Sequence, residues 1–152
     1  MKAESIKNII LAGFSTVGSA IAAFLGGWDA AVAALVVFLA VDFVTGLAVA
    51  LVFRRSGKTA DGSANSGACF RGLLKKIAVL LFVGIGALLD GLLGSGGLCR
   101  NAVILFFIGN EGLSICENLG LMGIPLPAFM RNAFEVLREK NDSASEKEER
   151  HA

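Results

Sequence analysis

Asp42, Asp90, Glu111 and Glu117 stand inside stretches otherwise dominated by Leu, Ile, Val, Phe, Ala and Gly. A carboxylate in such a setting pairs with a counter-ion, reaches water, or marks a path for ions or protons. Glu111, Ser114 and Asn118 fall at i, i+3 and i+7, while Asn110, Ser114 and Glu117 fall at i, i+4 and i+7. On a helix both sets project from one side and make a broad polar stripe. Two readings of the stripe stay open. Either it faces the interior of a bundle and is satisfied by Asp42, Thr45 and backbone, or it lines an aqueous lesion once several copies assemble. Asp90 sits near the end of its apolar stretch, where it can reach the interface or pair with Arg100.

Other chemistry fails on inspection. The single histidine, His151, is the penultimate residue, so no histidine triad or histidine metal cluster can be built. Cys69, Cys99 and Cys116 form no C-x-x-C motif and read as small apolar fillers. Gly57-Lys58-Thr59 resembles the end of a phosphate-binding loop, but Val52 stands where the first glycine belongs. Gly84-Ile85-Gly86 and the run from Gly112 to Cys116 each lack a glycine that their motifs require. No enzyme, metal or cofactor is expected.

The elements that position the acids follow from hydropathy. Of 152 residues, 55% are hydrophobic and 18% charged, against about 45–50% and about 25% in soluble domains. The apolar residues gather in four blocks, about 9–25, 30–53, 74–93 and 101–121. Each approaches the roughly 20 residues that a membrane-spanning helix needs. Lipid offers the backbone no hydrogen-bond partners, so each block must be helical. The expectation is an all-α, polytopic transmembrane bundle forming one domain over 1–140. A short amphipathic helix over about 128–140 should lie in the interface, followed by a disordered charged tail over 141–152. Lys2 and Lys7 followed by an apolar run also resemble a cleavable signal segment, which would leave three spans; a first block lying in the interface is a further option.

Insertion energetics separate the blocks. Each mid-helix Leu, Ile, Phe or Val contributes about −0.3 to −0.6 kcal/mol and each Asp about +2.5 to +3.5 kcal/mol. Block two sets fourteen such apolar residues against Asp42 and inserts readily. Block four sets ten against Glu111 and Glu117, with Asn110 and Asn118 besides, and is marginal alone. It needs protein partners or water. Rows of small residues along and just after block one (Ser15, Ser19, Ala23, Gly27; Gly18, Ala22, Gly26) would let helices approach closely.

Charge fixes an orientation. The longest connection, 54–76, carries Arg54, Arg55, Lys58, Arg71, Lys75 and Lys76 against Asp61. Basic excess in short loops marks the cytoplasmic side. Four spans place both termini on that side too, where Lys2, Lys7, Arg131, Arg138 and Lys140 lie. A net charge of +1 provides no field for nucleic acid.

Several motifs now point one way. The Gly-Trp-Asp turn (27–29), Asp42 to Gly46, the basic-to-apolar run 70–90, Asn110 to Ser114 and the closing Pro-Leu-Pro (125–127) occur in one order over about 100 residues. Together they resemble the toxin-secretion/phage-lysis holin family. The resemblance implies a small phage or prophage protein that accumulates in the bacterial cytoplasmic membrane as a homo-oligomer. It then opens lesions for a cell-wall hydrolase (endolysin) or a toxin, without binding the cargo. From the residues alone, a proton- or ion-coupled transporter and a membrane anchor remain as alternatives.

Overall fold

The computed structural model describes residues 2–57, 64–130, 132, 133, 135 and 136, and no strand occurs among them. Four long helices make up most of the described residues: α1 (Lys2–Phe24), α2 (Ala30–Ala48), α3 (Ser66–Leu93) and α4 (Leu98–Leu121). With the wide π-turn Val49–Phe53 that prolongs α2, all four are long and apolar enough to cross a membrane. The all-α, four-span reading therefore stands. Its boundaries need correction: α1 begins at Lys2 rather than 9, α3 at Ser66 rather than 74, and α4 at Leu98 rather than 101. Arg71, Lys75 and Lys76 are consequently helical, not loop residues.

Local chemistry sets the helix ends. Asp29 accepts the Val32 N–H at 2.9 Å and starts α2, and Asn65 accepts the Gly67 N–H at 2.8 Å and starts α3. Each side chain satisfies a donor that the first helical turn cannot. α3 ends at Gly94 in the left-handed conformation (φ 64°), the usual glycine stop. The π-turn that prolongs α2 ends at Arg54 with φ 50°, a conformation uncommon outside glycine.

α4 is the central helix, packing along both α2 and α3, while α2 and α3 touch each other far less. The core is a seam of Val32, Leu35 and Leu39 from α2, Val79 and Val83 from α3, and Ile104 from α4, closed at one end by Leu25. α1 is different. Its apolar side chains, among them Ile9, Phe14, Val17 and Ile21, are exposed, and its anchorage is at the last turn. There the Phe24 ring occupies the space a side chain at Gly84 would need. Only part of the expected interfacial helix is described: Ala128–Met130, 132, 133, 135 and 136 are helical. The tail expected over 141–152 lies outside the described residues, as does Lys58.

Candidate intramembrane ion site

Three helices bring three charged groups to one point. Lys76 of α3 donates from Nζ to Asp42 Oδ2 of α2 at 2.8 Å and to Glu111 Oε2 of α4 at 2.6 Å. The three side chains are 14%, 10% and 10% exposed. The site lies about ten residues from the C-terminal end of α4, or about 15 Å at the helical rise. It is therefore near the middle of the span.

Why these residues converge can be traced along each helix. On α2, Val32, Leu35, Leu39 and Asp42 recur at i, i+3, i+7 and i+10 and are all buried. Asp42 thus continues the core stripe. On α3, Lys76 precedes Val79, Val83, Gly86 and Asp90 at the same spacing, and those four are buried. On α4, Arg100, Ile104, Glu111 and Asn118 share the buried side. Each charge occupies a place where its own helix would otherwise put an apolar residue.

A second layer fixes the acid. Asn118 donates from Nδ2 to Asp42 Oδ1 at 3.1 Å and to Thr45 Oγ1 at 3.0 Å. Thr45 in turn donates to the carbonyls of Val41 (2.9 Å) and Asp42 (3.1 Å). No buried side-chain nitrogen or oxygen among the described residues lacks a hydrogen-bond partner. That is the condition under which ions are tolerated away from water, since removing one member of a buried pair costs about 3–5 kcal/mol.

The polar stripe of α4 is thus divided. Glu111 and Asn118 are buried against α2 and α3, and Ser114 is half-buried. Asn110 and Glu117 are exposed. Asn110 and Ser114 face a cavity of about 290 Å³ between α2, α3 and α4 whose wall includes Asp42, Lys75, Lys76 and Glu111. Lys76, read from the sequence as one of six basic loop residues, is instead the counter-ion of the acids. Its place on the Val79–Val83–Asp90 stripe is the signal that identifies it. Among the other basic residues, Arg55 donates to the Leu121 carbonyl at 3.4 Å, while Arg54, Arg71 and Lys75 are exposed.

The far end of the bundle requires a further correction. Of the two options the sequence leaves for Asp90, a side-chain pair with Arg100 does not form: the Asp90 carboxylate receives backbone N–H groups of Cys99 and Arg100, both at 2.8 Å, and the Ser95 hydroxyl. Two backbone donors in the first turn of α4, which its N-cap Gly97 leaves without a side-chain partner, take the carboxylate together with the Ser95 hydroxyl, and the guanidinium is needed elsewhere. Arg100 points to the α1–α2 turn. It donates to Asp29 Oδ2 at 2.8 Å, the Leu25 carbonyl at 2.6 Å and the Gly27 carbonyl at 3.1 Å. The hydrogen bond from Arg100, with that from the Val32 N–H, holds the Asp29 carboxyl down to about 2. Gly86 admits this arrangement, because a Cβ there would lie 3.0 Å from the Arg100 Cα.

Comparison with known proteins agrees with this architecture. Residues 19–139 match the bacteriophage holin family. An uncharacterised protein of Clostridium perfringens is 33% identical over 140 residues, covering 91% of this chain and 98% of its own. A protein of Bacillus phage phi105 named a probable holin is 30% identical over 112 residues, covering 74% and 77%. No solved structure matches. With the family matched over most of its length and four helices able to span a bilayer, the chain is a multi-pass membrane protein and belongs to the bacteriophage holin family.

Proposed function

We propose that the protein oligomerises in the bacterial cytoplasmic membrane and opens lesions through which an endolysin, or a toxin, leaves the cell. The observation that carries this reading is the Lys76 bridge between Asp42 and Glu111. Two carboxylates share one ammonium at mid-membrane, and every bond in the bridge joins side chains from different helices. At low density the bridge closes within one copy. At high density equivalent partners on neighbouring copies compete for the same groups, and the polar side of α4 can turn from protein to water. Membrane potential opposes or favours the turn, since one charge crossing fully is worth about 2.3 kcal/mol per 100 mV.

In this reading both termini and the basic loop are cytoplasmic, following the distribution of Lys and Arg. Asn110, Ser114 and Glu117 join Asp42, Thr45, Glu111 and Asn118 as lesion-lining residues. The chain performs no covalent chemistry and binds no nucleic acid. It touches lipid and its own copies, and the released hydrolase passes without a dedicated docking contact.

The cavity supports a second reading, an ion-coupled transporter, because it gives small ions a route to the acids. One experiment separates the two. On inducible expression in bacteria, a lesion gives abrupt growth arrest with release of a folded cytoplasmic enzyme. Steady ion leak without enzyme release would overturn the lesion reading in favour of the transporter.

A further inference from the structure

We propose that copies meet through Glu117 on α4 of one molecule and Arg71 on α3 of the next. This inference rests on the reading of the chain as one that assembles in the membrane, and it names the faces that join. Glu117 is exposed on a helix that crosses the bilayer and has no hydrogen-bond or ion-pair partner among the described residues. Arg71 is likewise exposed and without such a partner among them. Neither lines the cavity beside the ion site.

Depth matches them. The Lys76–Glu111 bond sets the register of the antiparallel helices α3 and α4. From that level Glu117 lies six residues toward the basic end, about 9 Å, and Arg71 lies five residues the same way, about 7.5 Å. Copies related by an axis along the membrane normal keep each residue at its depth. They therefore bring this acid opposite this base. A carboxylate and a guanidinium half-sheltered by lipid complement each other in charge and in bidentate geometry. The pair also gives Glu117, exposed within an otherwise apolar helix, the partner that an acid at that depth needs.

The test uses the full chain in bacterial membranes, with Cys69, Cys99 and Cys116 replaced and two differently tagged copies co-expressed. One copy carries Glu117→Cys and the other Arg71→Cys. Mild oxidation is expected to give several-fold more disulfide between copies than a control pairing Arg71→Cys with Leu92→Cys, an exposed position at the other end of α3. In cysteine-free copies labelled for energy transfer, Glu117→Arg or Arg71→Glu alone should lower association, and the combined swap should restore it. Cross-linking no greater than the control, a disulfide formed solely within one chain carrying both cysteines, or failure of the swap to restore association would overturn the proposal. Enzyme release is scored separately. Cross-linking at this pair without release would sink the lesion reading and keep the interface; release with no cross-link would do the reverse.

Discussion

The bundle carries ions at two levels, and they are built on opposite plans. At the end where the α1–α2 and α3–α4 turns meet, Arg100 spreads its donors over backbone carbonyls of Leu25 and Gly27 and a partly wet Asp29, while Asp90 receives backbone N–H groups. Those partners are fixed by the chain path. At mid-membrane Lys76, Asp42 and Glu111 hold each other through side chains alone. A side-chain partner can be replaced by an equivalent one from another molecule, whereas a turn's own carbonyls cannot. The contrast separates a permanent clasp from a bond suited to exchange.

The largest expected effect breaks the clasp. Arg100→Ala strands the Leu25 and Gly27 carbonyls and should cost about 2–6 kcal/mol, at about 1–3 kcal/mol for each acceptor left unpaired, seen as a strongly lowered unfolding temperature in detergent and poor accumulation in the membrane. Lys76→Met should be nearly as damaging, about 3 kcal/mol, because it leaves two buried carboxylates facing each other. Unlike Arg100→Ala, it should be rescued by removing the acids in a Lys76→Met/Asp42→Asn/Glu111→Gln chain, with altered onset of lysis as the second readout. If no such rescue occurs, the exchangeable character of the site is lost.

A smaller effect belongs to the α1 anchorage. Gly84→Ala should cost about 1–3 kcal/mol, since the Phe24 ring must leave its place; Phe24→Ala in the same chain should recover part of it. Protease sensitivity of the α1–α2 turn would follow the displacement. The smallest is a pH effect on the clasp. Asp29 is held at about 2 against an ordinary 3.8. Its contribution is therefore complete above about pH 4 and falls away as the pH drops toward 2. Asp29→Asn should flatten the acid limb of thermal stability measured across that window, and an unchanged limb would detach Asp29 from the clasp.

The four spans were legible because length and hydropathy act residue by residue. Asp42, Thr45, Glu111 and Asn118 were legible as candidates for the same reason: polar groups inside apolar blocks announce themselves. Lys76 did not, because a basic residue beside Arg71 and Lys75 looks like part of a loop until the start of α3 is known. Asp90 and Arg100 are recognisable as neighbours from the sequence, but the way they bond is not. Opposite charges suggest a pair, and nothing in the string of residues reveals that backbone donors of α4 reach Asp90 first.

Composition and spacing settle that this chain must be helical in lipid, because unpaired backbone groups are intolerable there. They settle equally that block four needs company, since its acids nearly cancel its apolar residues. Rotation of the helices about their axes is another matter. One residue turns the face by about 100°, so the choice of Glu111 and Asn118 for the interior, with Glu117 left outside, came from packing three helices together. Hydrophobicity is a sum over residues; the meeting of Lys76 with two acids depends on where three separate chain segments stand at once.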